Sequence, residues 1–192
     1  MSTDPVRLLE RALAQVRPLI AGVRDDQLGA PTPCASWDVR TLIEHLVADL
    51  DRFTTTATGG QPDWSAPAPA VADPVAAWDE GAAGLLGAWR RAGDLTGTIQ
   101  HPVMGEIPAR FPVDQQLTEF AVHAWDLVTA TGQPADLDPG IAEAALAWAR
   151  QVMRPQFRGT EADGKAFGPE VPISDDAPVY DRLAAFYGRR AG

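Results

Sequence analysis

The sequence predicts an all-α protein: a bundle of four long helices with long crossover loops, a short β-hairpin near 95–111 and a short C-terminal helix. Three observations predict it. Apolar residues recur at three- and four-residue intervals through the long segments, which is helical spacing. Gly and Pro gather between those segments, where long connections are needed. Extended alternation of apolar and polar residues is confined to one short stretch. The 192 residues suit one domain over 1–192, of which about 154–192 is an irregular tail with a short helix.

The first helix covers 5–23, with Val6, Leu9, Leu13, Val16, Leu19, Ile20 and Val23 on its apolar face; Pro18 is expected to interrupt or kink it. Gly29, Pro31 and Pro33 make the following stretch a loop, and Ser36 is a candidate N-cap for the second helix. That helix runs from about 37 to 57 on a stripe of Val39, Leu42, Ile43, Leu46, Leu50 and Phe53. Residues 59–74 lack periodicity and read as a flexible loop. A third helix over 75–92 is weakened by Gly81, Gly84 and Gly87. Thr96, Thr98, Ile99, Ile107 and Phe111 flank a turn-rich centre, hence the hairpin. A fourth helix covers about 112–131, opening on Pro112 and ending at Gly132. A fifth spans about 138–153, and the last lies near 178–188.

Composition excludes several classes of function. A formal net charge of −10 with no basic run disfavours nucleic-acid binding. No apolar stretch approaches the ~20 residues that span a bilayer, and the N-terminus has no signal-peptide core. One cysteine, Cys34, excludes an internal disulfide framework and fits a reducing cytoplasm. Abundant Ala and a single lysine, Lys165, suggest a high-GC, actinobacterial source.

The stretch EFAVHAWD places Glu119, His123 and Asp126 at i, i+4 and i+7, one narrow sector of the fourth helix, on the margin of its core stripe. His45 and Asp49 hold the same relation on the second helix. If the two helices pack together, His45, Glu119 and His123 form a two-histidine, one-carboxylate set suited to a divalent ion, with Asp49 and Asp126 orienting the rings. Spacing alone leaves the blander alternative open: a marginal histidine is ordinarily a satisfied boundary residue and a marginal carboxylate ordinarily solvated. Two of only three histidines sit this way, which favours the metal. His101, in the hairpin, is a substrate contact, an outer ligand or an exposed loop residue. Cys34 is a thiolate nucleophile or, more simply, a small buried apolar group. The six tryptophans read as core packing, and Arg90-Arg91 and Arg189-Arg190 as solvated or as binding a carboxylate.

Two blocks carry a resemblance. PTPCASWDVRTLIEHLVADL (31–50) and LTEFAVHAWDLVTATG (117–132) resemble the DinB-like metal-binding four-helix-bundle superfamily, in particular the mycothiol-dependent maleylpyruvate isomerase N-terminal-domain family. The tail AFGPEVPISDDAPVYDRLAAFYGR (166–189) is similar to a short-chain metal-binding subgroup, whereas the isomerases proper carry a further C-terminal domain. The resemblance implies a DinB-like bundle, often homodimeric, with His45, Glu119 and His123 as ligands of a divalent metal, usually zinc. It implies a cytoplasmic S-transferase or isomerase in which the metal activates a thiol such as mycothiol toward a small electrophilic substrate. The alternative is a metal-binding bundle without thiol chemistry: a hydrolase, a secondary-metabolite enzyme or a non-catalytic small-ligand binder.

Overall fold

The structure, a computed structural model, describes residues 4–34, 36–101, 104–160, 163–165 and 167–190, without the side chain of His101. In chain order the helices are α1 (Pro5–Ala21), α2 (Val39–Ala57), α3 (Pro74–Ala92), α4 (Phe111–Thr131), α5 (Pro139–Val152) and α6 (Val179–Phe186). Strands β1 (Thr98–His101) and β2 (Gly105–Pro108) form the expected hairpin between α3 and α4, pairing antiparallel with Ile99 opposite Ile107.

An aspartate starts four of the helices. Asp4, Asp38, Asp73 and Asp138 each accept a hydrogen bond from a free backbone N–H of the first turn, and a proline follows three of them at the first helical position. Ser36 is therefore not the cap of α2. It lies in a left-handed conformation (φ 66°) two residues before Asp38, whose carboxylate takes the Thr41 N–H at 2.8 Å. The α1 helix continues through Pro18 and ends at Gly22. Gly132, at φ 64°, closes α4 as a left-handed cap.

The helices close a ring in the order α1, α3, α2, α4, with α5 and α6 laid against the outer side of α4. This explains why α4 departs from a striped helix. Covered on several sides, it buries Leu117, Phe120, Ala121, Ala124 and Leu127, and also His123 and Asp126. Those two polar residues belong to the interior and not to a core margin. Trp78 and Phe120 meet edge to face at 5.5 Å in the centre of the bundle. No helix among the described residues is long and apolar enough to cross a membrane.

The α2–α3 contact depends on a missing side chain. A Cβ on Gly81 would fall 2.9 Å from the Cβ of Leu50 and 2.8 Å from its Cδ1. Alanine gains about 1 kcal/mol of helix propensity over glycine, but overpacking costs about 1–3 kcal/mol. Gly81→Ala should therefore not stabilise the protein as a solvent-facing glycine replacement would; urea unfolding is expected to show a net loss of about 1 kcal/mol, and a gain would mean that Leu50 yields freely.

Candidate metal centre

The ring order sets α2 directly against α4, and their two polar pairs meet. His45 Nε2 donates to Glu119 Oε1 at 3.0 Å, and His123 Nε2 donates to the same oxygen at 2.9 Å. One potential ligand atom from each of the three residues lies within 4.8 Å of the other two. Trp37 covers both rings, its centroid 4.5 Å from that of His45 and 5.9 Å from that of His123.

A chain of carboxylates and cations holds this set from behind. His123 Nδ1 donates to Asp126 Oδ2 at 2.8 Å, which leaves Nε2 as the nitrogen that faces Glu119. Asp126 is fully buried (0% exposed) and accepts in turn from Arg189 Nε and Nη2 at 3.3–3.4 Å. On the other side Asp49 Oδ2 lies 3.4 Å from His45 Nε2, while Arg52 Nη1 donates to Asp49 Oδ1 at 2.8 Å. Asp126 thus lies behind its ring, on Nδ1, whereas Asp49 sits beside the same Nε2 of His45 that faces Glu119 and not behind the ring.

The electrostatics follow from that arrangement. Burial opposes charge on His123, but Glu119, Asp126 and Cys34 outweigh it and hold the imidazole well above its usual pKa. Burial would raise Glu119, yet the two imidazoles, His123 foremost, hold it well below the ordinary carboxylate range. Asp126 is lowered because His123 and Arg189 overcome its burial. Asp49 is raised by burial and by the charge of Glu119, against the pull of His45 and Arg52.

Cys34, His123 and Asp126 form a second group of close potential ligands. Arg189 stands in its way: Nη2 donates to Cys34 Sγ at 3.1 Å and to Asp126 at 3.3 Å, placing a fixed cation where a metal would need to approach. Among the described residues Glu119 accepts no hydrogen bond from an arginine or lysine, and His45, Glu119 and His123 fit a divalent ion, with two imidazoles and one carboxylate on rigid helices, once the Nε2 protons give way to it.

These residues open into a cavity of about 910 Å³, whose walls include Cys34, Trp37, Trp64, Lys165, Tyr187 and Arg189. Half of that wall was not foreseen. The tail after α5 carries Lys165, Phe167 and Gly168 to the cavity, and the end of α6 carries Tyr187, Gly188 and Arg189. Arg189, expected to be solvated or to bind a carboxylate, is nearly buried against the carboxylate of Asp126, and no periodicity links it to that partner 63 residues earlier. Trp64, expected in the core, is 53% exposed and packs on Phe53 at the cavity edge. Cys34 is half-buried and faces the cavity instead of an apolar core. The backbone of His101 lies in β1, its side chain outside the described residues, and no described residue of the hairpin lines this cavity. A similar space of about 960 Å³ at the start of α1 is lined by Arg7, Arg11, Arg90 and Arg110, each already beside a carboxylate.

Comparison with known proteins bears on the same helices. The model of the mycothiol maleylpyruvate isomerase N-terminal domain matches residues 9–128, which contain His45, Glu119, His123 and Asp126. Two uncharacterized proteins of Mycobacterium tuberculosis, from strains CDC 1551 and H37Rv, are each 39% identical over 97% of this chain and 98% of their own length. Among solved structures, a mutant of the mycothiol-dependent maleylpyruvate isomerase shares the fold with a TM-score of 0.56 at 18% identity, over 75% of this chain. The chain spans 65% of the length of that protein.

Proposed function

Because the chain belongs to the mycothiol maleylpyruvate isomerase N-terminal domain family, we propose that it is a metal-dependent enzyme of thiol chemistry, an S-transferase or isomerase. His45, Glu119 and His123 hold a divalent cation, zinc in this reading as the family resemblance implies, and a small thiol of the mycothiol type reacts in the cavity beside them. The observation that carries this reading is the convergence of two imidazole N–H groups on one carboxylate oxygen. Two protons there occupy the place that a single divalent charge fills equally well. When bound, the cation supplies a Lewis acid that ionises a coordinated thiol near neutral pH.

The chain's own residues do the rest. Asp126 keeps the proton of His123 on Nδ1, so that Nε2 is the ligand atom. Against its burial, His123 and then Arg189 hold Asp126 in its ionised form. Trp37 lies over both imidazoles and limits their rotation. Arg52 holds Asp49 by Oδ1 and so sets its Oδ2 beside His45 Nε2. Tyr187 is raised by burial and by the charge of Glu119, so its phenol stays neutral against the cavity.

The test is in two steps. Purified protein reconstituted with zinc should carry about one equivalent; less than a tenth of an equivalent after reconstitution would sink the metal. Mycothiol with an electrophilic reporter should then be consumed in a zinc-dependent reaction that His45→Ala slows by about a hundredfold. Zinc bound without thiol consumption would leave a metal site with other chemistry, such as hydrolysis.

A further inference from the structure

Besides the two imidazoles, three basic side chains line the cavity, Arg52, Lys165 and Arg189, against two carboxylates, Asp49 and Glu119. Two of the cations are committed. Arg52 donates to Asp49 and to the carbonyl of Ala66, and Arg189 to Asp126 and Cys34. Lys165, half-buried and the sole lysine of a chain with net charge −10, makes no side-chain hydrogen bond or ion pair with any described residue. Its ammonium therefore keeps its N–H donors for an anion that enters the cavity.

Its position is built. The backbone of Arg158 bridges that of Phe167, and Gly159 N–H donates to Phe167 O at 2.9 Å. Lys165 N–H donates to Thr160 O at 3.1 Å, closing a turn that Asp163 secures by accepting from the Thr160 hydroxyl at 2.6 Å. The lysine stem lies along bare backbone at Gly159, where an added Cβ would fall 2.7 Å from Lys165 Cγ. Arg158 ties the turn to α6: Nη1 donates to Gly168 O and Phe186 O at 3.0 and 2.7 Å, and its guanidinium lies 4.6 Å over the Phe186 ring. Another wall of the cavity carries the exposed indole of Trp64. The cavity thus presents a positive charge on a stem anchored at Gly159 on one wall and a flat apolar face on another.

We propose that Lys165 is the specificity-determining residue of this cavity, binding the carboxylate of an acidic, flat-bodied small molecule. This rests on the thiol-enzyme reading, in which that molecule is the electrophilic partner. Lys165 lies beyond residues 9–128, the segment matched to the family, so this recognition belongs to the tail and not to the metal-bearing helices.

The probes are 3,5-dinitrobenzoate and its neutral amide, which have the same body and no leaving group. Their binding to the full chain is measured by calorimetry with and without zinc, for wild type, Lys165→Met and Lys165→Arg. Wild type should bind the carboxylate about tenfold more tightly than the amide, the scale of one charge-assisted hydrogen bond. Lys165→Met should bring the ratio near one, and Lys165→Arg should keep it. Zinc affinity, read on the same samples, should be equal in all three proteins, so that loss of the metal reading and loss of this one register separately. Equal binding of the two probes by wild type, a preference that survives Lys165→Met, or a preference present only with zinc would each overturn the assignment.

Discussion

Glu119→Ala should abolish high-affinity zinc binding and leave the bundle folded. Both imidazoles point their Nε2 atoms at one oxygen of this side chain, so its removal takes away the anionic donor and the element that gathers the other two. The expected loss is a hundredfold or more in Kd, about 3 kcal/mol. Zinc at about a thousand times its Kd should stabilise the wild type by about 4 kcal/mol; the variant's melting temperature should not respond to zinc or to chelator. Glu119→Gln, which keeps the shape and one oxygen, should fall between. Proton release gives an independent reading. His123 holds its proton to an unusually high pH, because Glu119 and Asp126 outweigh its burial, and that Nε2 proton must leave when the metal arrives. Zinc uptake at neutral pH should therefore release protons in calorimetry across buffers, and affinity should weaken as the pH falls. Tight zinc binding by Glu119→Ala would mean that the ligand set is wrong.

Asp126→Asn should cost stability before it costs chemistry. Asp126 is fully buried between His123 and Arg189, and its pKa is lowered because those two cationic groups outweigh its burial. The amide leaves Arg189 confined beside Cys34 with no counter-charge, a change of about 3–5 kcal/mol for a broken buried pair. Urea unfolding in chelator separates this from any loss of metal. Arg189→Gln in the same background should recover part of the loss, since it removes the stranded cation, and the double-mutant cycle gives the coupling. A carboxylate with a lowered folded-state pKa contributes stability above its unfolded value. That contribution should fade as the pH drops below about 4 toward the lower folded-state value. An Asp126→Asn protein as stable as wild type would show that the Arg189 contact carries no weight.

The legibility of this protein divides at the end of α4. His45, Glu119 and His123 could be brought together from spacing because each sits on a long helix whose phase its apolar neighbours set, and two such helices in a small bundle have few ways to meet. Asp126 was assigned to a margin because its own helix face says so; α5 and α6, which cover that side, are not visible from within α4. The start of α2 was misplaced at Ser36 because any small polar residue before an apolar run resembles a cap. Asp4-Pro5, Asp73-Pro74 and Asp138-Pro139 carried a firmer signal, a capping carboxylate followed by a residue with no N–H to satisfy. Lys165 and Arg189 had no signal. They arrive by an irregular tail with no period, and their positions depend on hydrogen bonds such as those of Arg158 to Gly168 and Phe186, between parts of the chain that share no pattern.

The tail wall of the cavity has a consequence for variation. Changes between α5 and the last helix are expected to alter what the cavity admits while leaving His45, Glu119 and His123 in place on α2 and α4. One position resists such change. Arg189 is held by the tail yet closes the charge balance of Asp126 inside the bundle. A tail without that cation is expected to leave Asp126 buried with His123 as its one remaining charged partner.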